Sequence, residues 1–208
     1  MRFYSERRIN KQMRYIILQT LLFLFLLPSC TGQTKSDPKT LYNEDFKWTI
    51  TIPENFTNVS PEEWAKMQNK GIDAIENTYE VEVVNYSTTI FAFKNADFNY
   101  MESNYQPYDI EIDGNYLESC NEVNQILFET FEYQMPNVKI DSVSTVEKIS
   151  GLEFQTFKMK IDFPNGMTLY SQMYSRLFDK NEFTLNILFV DENQGEKMIE
   201  AWTNSIFE

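Results

Sequence analysis

The sequence predicts an α+β fold, in which an antiparallel sheet carries helices on both faces as an α/β/α sandwich. The last third of the chain alternates apolar and polar residues over four stretches joined by short turns, as antiparallel strands do. Three other segments have the apolar spacing of amphipathic helices. The end of the last strand is apolar on both sides, which indicates cover on both faces of the sheet.

The strands are predicted from period-two alternation and from turn residues. Phe46, Trp48, Ile50 and Ile52 alternate with polar residues, and Pro53 ends that strand. In the last third, turns are predicted at Gly151, at 164–166 and at 179–181. Two or three strands are predicted around 79–84, 88–93 and 99–103, and four more at 140–149, 152–163, 167–178 and 183–190.

The helices are predicted from caps and apolar stripes. Ser60 supplies an N-cap, Pro61 a first helical residue and Glu63 a capping-box carboxylate. The second helix spans 115–134, with Asp113 or Asn115 as its cap, and the third spans 196–207. The residues predicted to face inward are Trp64, Met67 and Ile75; Tyr116, Cys120, Val123, Leu127 and Phe131; and Met198, Ile199, Trp202 and Ile206.

The N-terminus has the order of a secretory signal. Five basic residues precede an apolar run at 16–27, which is too short for a helix that crosses the hydrocarbon, since that takes about 20 residues. The following sequence, Leu27-Pro28-Ser29-Cys30, resembles the lipobox of bacterial lipoproteins, although Pro28 departs from the usual alanine or serine. The alternative is a plain signal peptide or short anchor with an incidental cysteine.

The lipobox resemblance divides the chain into three parts. Residues 1–29 are predicted to be a lipoprotein signal peptide, 30–40 a lipidated Cys30 with a flexible polar tether, and 41–208 a single α+β domain. Thr31 follows the cysteine where an aspartate would favour retention at the inner membrane, so the resemblance implies a lipid-anchored protein of the cell envelope, at the outer membrane.

Composition excludes several partners and chemistries. Without residues 1–29 the chain has 13 basic and 30 acidic residues, a formal charge of −17, which repels nucleic acid and anionic headgroups. The chain has no histidine, which removes histidine-based hydrolase chemistry and histidine-ligated zinc. Once Cys30 carries lipid, Cys120 is the only free thiol, and its apolar stripe predicts a buried residue. No cofactor is predicted.

The order of elements resembles a known fold family. A strand ending in "TITIPENF" at 49–56, a helix with Trp64, a long second helix, a long meander and a final helix with Trp202 look like the PsbP/Mog-type sandwich. Members of that family include extrinsic subunits of the photosynthetic oxygen-evolving complex, a Ran-binding nuclear transport factor and bacterial envelope proteins. The resemblance implies a binding or assembly scaffold. The Asn-, Phe- and Tyr-rich composition beside this lipobox also resembles envelope lipoproteins of the Bacteroidetes.

Three patterns suggest a site. Asp109, Glu111 and Asp113 alternate before a glycine as a calcium loop begins, but the twelfth position, which should be glutamate, is Cys120. The alternative is a polar segment that enters the second helix. Asp141-Ser142-Val143 resembles a Bacteroidetes O-glycosylation acceptor at Ser142, or Ser142 is an ordinary strand serine. Many carboxylates could supply an acid/base pair, although no particular pair is indicated.

Two classes of function therefore remain open. The favoured one is a membrane-anchored, non-catalytic envelope module that binds an unidentified envelope protein or ligand. The alternative is a carboxylate-based or metal-assisted hydrolase of envelope material. A cleft with two facing carboxylates would favour the hydrolase, and an exposed aromatic patch beside a sheet edge would favour the binding module.

Overall fold

A computed structural model describes residues 39–208. The described residues form two antiparallel sheets and four helices. In chain order the elements are β1 Lys39–Asn43, β2 Trp48–Ile52, β3 Thr57–Asn58, α1 Pro61–Tyr79, β4 Thr88–Lys94, β5 Tyr100–Pro107, α2 Ile110–Asp113, α3 Tyr116–Gln134, β6 Lys139–Ile149, β7 Leu152–Asp162, β8 Thr168–Phe178, β9 Asn181–Phe189, α4 Glu192–Thr203 and β10 Ile206–Phe207.

The large sheet has seven strands in the order β3-β4-β5-β9-β8-β7-β6, and the small sheet has the order β1-β2-β10. All neighbouring strands are antiparallel. Strands β6 to β9 form the predicted meander, and each lies within two residues of its predicted bounds. Strand β9 continues the meander on to β5, so strands from the two halves of the chain meet at the centre of the sheet.

Helices α1 and α3 cover one face of the large sheet, called the helix face below. Ile75 of α1 and Phe131 of α3 pack there against apolar side chains of β7 and β8. The Tyr79 hydroxyl donates to Glu129 Oε2 at 2.7 Å, which ties the C-terminal part of α1 to α3. This face therefore holds a core made of two helices and a sheet.

Helix α4 and the small sheet cover the opposite face, and an aromatic core fills the space beneath them. Trp202 of α4 is fully buried, with ring-centroid distances of 6.0 Å to Trp48, 5.0 Å to Phe154 and 6.3 Å to Phe183. These partners come from β2, β7 and β9, so one side chain joins the helix to both sheets. Helices lie on both faces, which confirms the predicted fold class.

Each long helix begins at a side-chain cap. Ser60 Oγ accepts from the Glu63 N–H at 3.2 Å, and Pro61 is the first helical residue, as predicted. Of the two caps considered for α3, Asn115 is the one used. Asp191 caps α4. Capping satisfies N–H groups that have no partner within the helix, and it sets where each helix starts.

The strand predicted around residues 79–84 is wrong. Helix α1 continues through Tyr79 and ends at Glu80, whose φ of 53° is left-handed. Residues 81–87 belong to no strand, yet Val83 is buried in the core with Ile75 and Phe131. The apolar alternation at this point comes from a connecting segment that packs against the helices.

The prediction for the C-terminus is partly wrong. Helix α4 starts earlier than predicted and ends at Thr203, after which β10 pairs with β2. Ile206, predicted to face the core from a helix, is 55% exposed on β10. Strand β1 begins at Lys39, two residues before the predicted domain boundary. Strands β1 and β10 each form by pairing with β2. The apolar periodicity of a single segment does not reveal such pairing.

Candidate functional site

Cys30, the predicted lipidation site, and the predicted signal peptide lie outside the described residues. Within residues 39–208, no helix combines the length and apolar content needed to cross a membrane.

The calcium candidates are used as helix caps. Asp109 Oδ1 accepts from the Glu111 N–H at 3.0 Å and so caps α2. The Asp113 carboxylate turns back and accepts from the Asp109 N–H at 2.7 Å. Across residues 39–208, no three acidic or cysteine side chains are grouped so that they could hold a metal ion. The bonds in this segment match the polar connection that was the alternative to a calcium loop.

Ser142 and Cys120, the other two residues singled out, lie on β6 and α3. Ser142 is exposed in the middle of β6 and pairs with Met159 of β7, so its modification stays a prediction. Cys120 is 7% exposed on α3, which confirms the predicted burial. Burial and the nearby Glu182 raise the pKa of the Cys120 thiol to about 12, so thiolate chemistry at neutral pH is suppressed.

A row of buried polar side chains on the helix face was not predicted. Strands β5 and β9 place Glu102 opposite Asn186, Asn104 opposite Thr184, and Gln106 opposite Glu182. All six residues are at most 7% exposed. These polar residues occupy every second position of both strands. The same pattern is typical of a sheet with one face in solvent, so the sequence alone does not show that this face is buried beneath α1 and α3.

Hydrogen bonds hold the two glutamates of this row. Glu102 accepts from the side-chain amides of Asn104, at 3.1 Å, and Asn186. Glu182 accepts from Gln106 Nε2 at 2.8 Å. Desolvation raises the pKa of Glu102 to about 8, against the lowering effect of its two amide donors. Desolvation also raises the pKa of Glu182, and Gln106 partly offsets it.

The spacing of these carboxyl groups argues against an acid/base pair. Glu102 faces Asn186, and Glu182 lies four residues away along β9. At about 3.4 Å per residue the two groups are about 14 Å apart along the strand. Glycosidase carboxyl pairs are separated by about 5–9.5 Å with substrate between them. Glu102 and Glu182 are instead buried and hydrogen-bonded within the row.

Glu102 should make stability depend on pH. A carboxyl group with a raised folded-state pKa binds its proton more tightly in the folded protein. It therefore stabilises the fold fully below the unfolded pKa of about 4.5, and this contribution is lost as pH rises through about 8. We expect the free energy of unfolding to fall across this window, by up to about 1.4 kcal/mol per pH unit from this group.

Urea unfolding of the purified protein at several pH values measures this effect. Glu102→Gln should remove the Glu102 part of the slope, and Glu111→Gln, a matched change at an exposed position, should leave it. Parallel curves for wild type and Glu102→Gln between pH 5 and 8 would contradict a raised pKa at Glu102.

A groove opens between β2 and α4, on the side of the molecule opposite the helix face. Its volume is about 420 Å³. Thr49 and Thr51 of β2 form one wall, and Lys197, Glu200 and Ala201 of α4 form the other. Ile52, Pro53, Glu54, Asn204 and Ile206 also line the groove.

The open edge of β2 forms part of this groove. The Phe207 N–H and C=O bond the Ser150 hydroxyl, and the Glu208 N–H donates to the Lys47 carbonyl at 3.0 Å. In an antiparallel ladder the backbone groups alternate in direction, so those of Lys47, Thr49 and Thr51 face the β10 side. β10 pairs only as far as Thr49. By the same alternation, the Thr51 N–H and C=O face the side on which the groove lies.

Sequence reasoning missed this groove because its walls are remote in the chain. Thr51 and Asn204 are about 150 residues apart, and they meet only because α4 packs beside β2. The nearest signal was Pro53, which marks the end of a strand but not what lies beside it.

The described residues thus define a class: an antiparallel sheet with helices on both faces and a small sheet that leaves a strand edge open beside a helix. The fold is PsbP-like. The solution structure of cyanobacterial PsbP (CyanoP) from Synechocystis sp. PCC 6803 matches with a TM-score of 0.53, covering 88% of this chain and 99% of that chain at 7% sequence identity. No family model and no curated protein matches the sequence. A likeness at this identity concerns the fold alone.

Proposed function

We propose that the protein is a lipid-anchored lipoprotein of the cell envelope whose folded part is a non-catalytic binding or assembly scaffold. The lipobox-like sequence that ends at Cys30 supports the anchor, and Thr31 favours the outer membrane. The acidic surface disfavours nucleic acid as a partner. The PsbP-like fold of the described residues is compatible with a scaffold, but the observation that carries the proposal is the groove between β2 and α4.

The groove suits an extended segment of a partner protein. The Thr51 N–H and C=O offer one donor and one acceptor at an open strand edge, which is how a peptide adds a strand to a sheet. Lys197 and Glu200 stand opposite and would bind side chains of either charge. A volume of about 420 Å³ accommodates a few residues of extended chain, so we propose strand addition beside β2.

The buried carboxyl groups also favour a scaffold over the alternative hydrolase. Glu102 and Glu182 are enclosed and too far apart to act on one bond. The groove does contain Glu54 and Glu200, so a hydrolase that uses them is the second candidate.

A photo-reactive amino acid at Asn204, in the full-length protein in intact cells, tests the scaffold. We expect a cross-link to one envelope protein. The cross-linked residue of that protein identifies the segment that occupies the groove. Ala201→Trp fills the groove and should reduce the yield about tenfold or more. Ala65→Trp makes the same change at an exposed position on α1 and should leave the yield unchanged.

Two results would contradict the proposal. One is equal cross-linking in the Ala201→Trp and Ala65→Trp proteins, which would mean that the groove binds nothing. The other is turnover of a peptide, glycan or ester substrate by the purified protein that is lost in Glu54→Gln or Glu200→Gln, which would establish the hydrolase.

A further inference from the structure

Strand β6 is a long edge of the large sheet whose central part is unprotected. It is the last strand in the order, and its 11 residues pair with β7 in unbroken register. Monomeric proteins usually protect such edges with charged residues, proline, bulges or very short strands. The central residues 142–146 have no charge, no proline and no bulge.

The opposite edge of the same sheet is protected. Strand β3 has only two residues, and the neighbouring β4 shifts register between Thr89 and Phe91. Both features interrupt strand pairing with another molecule. The contrast singles out β6 as the edge that is available for pairing.

Exposed valines flank this edge on both faces of the sheet. Val143 is 51% and Val146 54% exposed, and their positions along β6 differ by an odd number, so they lie on opposite faces. The four charged residues of β6 are two basic and two acidic, so the strand is neutral although the chain is strongly acidic. Repulsion between two copies is therefore small at this edge.

We propose that two copies of this chain associate through β6, antiparallel to each other, so that the large sheet continues across a two-fold axis. The axis passes through Val143. This arrangement pairs residues 139–147 of each copy, and four or five of the nine pairs would exchange two hydrogen bonds each, about eight to ten in all.

The backbone restricts the register. In an edge strand, only every second residue points its N–H and C=O outward. An axis between two residues would place an outward-pointing residue opposite an inward-pointing one, so the axis must pass through a residue. At least nine residues of each copy are paired only if the axis passes through Val143, Ser144 or Thr145.

Side chains select among these three registers. An axis at Ser144 places Asp141 opposite Glu147, which are like charges. An axis at Thr145 places Glu147 opposite Val143. An axis at Val143 places Lys139 opposite Glu147, Ile140 opposite Val146, and Val143 opposite itself. Each apolar side chain then meets an apolar one, Asp141 meets Thr145, and Lys139 and Glu147, which pair with Asp141 and Lys158 in their own chain, meet an opposite charge.

Single cysteines in the full-length protein in membranes test both the pairing and its register. Val143→Cys should give a covalent dimer under mild oxidation or with a short bis-maleimide, because the two residues face each other. Val146→Cys is the matched control. It is equally exposed, but its two copies would be six residues apart along the strands, about 20 Å, and out of disulfide reach. The unchanged protein, with Cys30 and buried Cys120, gives the background.

We expect at least about tenfold more dimer from Val143→Cys than from Val146→Cys. Charge reversal provides the second measurement, by sedimentation of the detergent-solubilised protein. Lys139→Glu and Glu147→Lys should each weaken the dimer about tenfold, because two symmetric pairs become repulsive, and the double variant should restore it. Equal cross-linking at both positions, or a monomer throughout with no effect of charge reversal, would overturn the proposal.

Discussion

Trp202→Ala should reduce the free energy of unfolding by about 3–5 kcal/mol, a large part of the 5–15 kcal/mol typical of a domain. Trp202 is fully buried, and its ring contacts aromatic side chains from both sheets. Removing it leaves a cavity between α4 and the sheets, which the rigid neighbouring rings cannot fill. Urea unfolding followed by far-UV circular dichroism measures the change.

Two variants sharpen this test. Tyr133→Ala removes an aromatic ring that is 64% exposed and should change the free energy of unfolding by no more than about 0.5 kcal/mol. Trp202→Phe should cost less than Trp202→Ala, because it keeps an aromatic ring and removes an indole N–H that is buried without a hydrogen-bond partner. A loss below about 1 kcal/mol for Trp202→Ala would show that α4 does not depend on this contact.

Cys30→Ala should abolish incorporation of labelled fatty acid and move the protein from the membrane fraction to the soluble fraction. A lipid anchor binds through its buried methylene groups, each contributing about 0.8 kcal/mol. Without it, an acidic chain has little attraction for anionic headgroups. Metabolic labelling and cell fractionation measure both effects.

Cys120→Ala is the matched control for this experiment. It removes the other cysteine, which is buried on α3, and should leave both the label and the membrane location intact. Fatty-acid labelling that persists in Cys30→Ala and disappears in Cys120→Ala would place the lipid elsewhere and refute the lipoprotein prediction.

Much of the fold could be predicted because its signals are local. Strands β6 to β9 alternate with period two and are joined by turn residues, so they appear directly in the sequence. Ser60 and Pro61 identify the start of α1 for the same reason. The alternation at 79–84 was misleading because an irregular segment packed on a core also places every second side chain inward.

The candidate sites could not be predicted because they depend on pairing between distant segments. Glu102 and Glu182 belong to one buried polar row only because β9 pairs with β5. The groove requires β10 to end beside Thr49 while α4 stays beside β2. Neither event leaves a periodic signal within one segment.

The predicted glycosylation of Ser142 and the proposed pairing of β6 exclude each other. In the register centred on Val143, Ser142 lies opposite Ser144 of the second copy, and a glycan would occupy that space. A modified protein would therefore be monomeric at this edge.

The position of β1 has a consequence for how the protein meets a partner. Lys39 pairs with Ile52, which borders the groove, and Lys39 is only nine positions after Cys30. Nine residues span at most about 30 Å. With lipid on Cys30, Lys39 would stay within that distance of the bilayer. The adjoining groove would then sample a thin layer above the membrane and search for a membrane-bound partner by lateral diffusion in two dimensions.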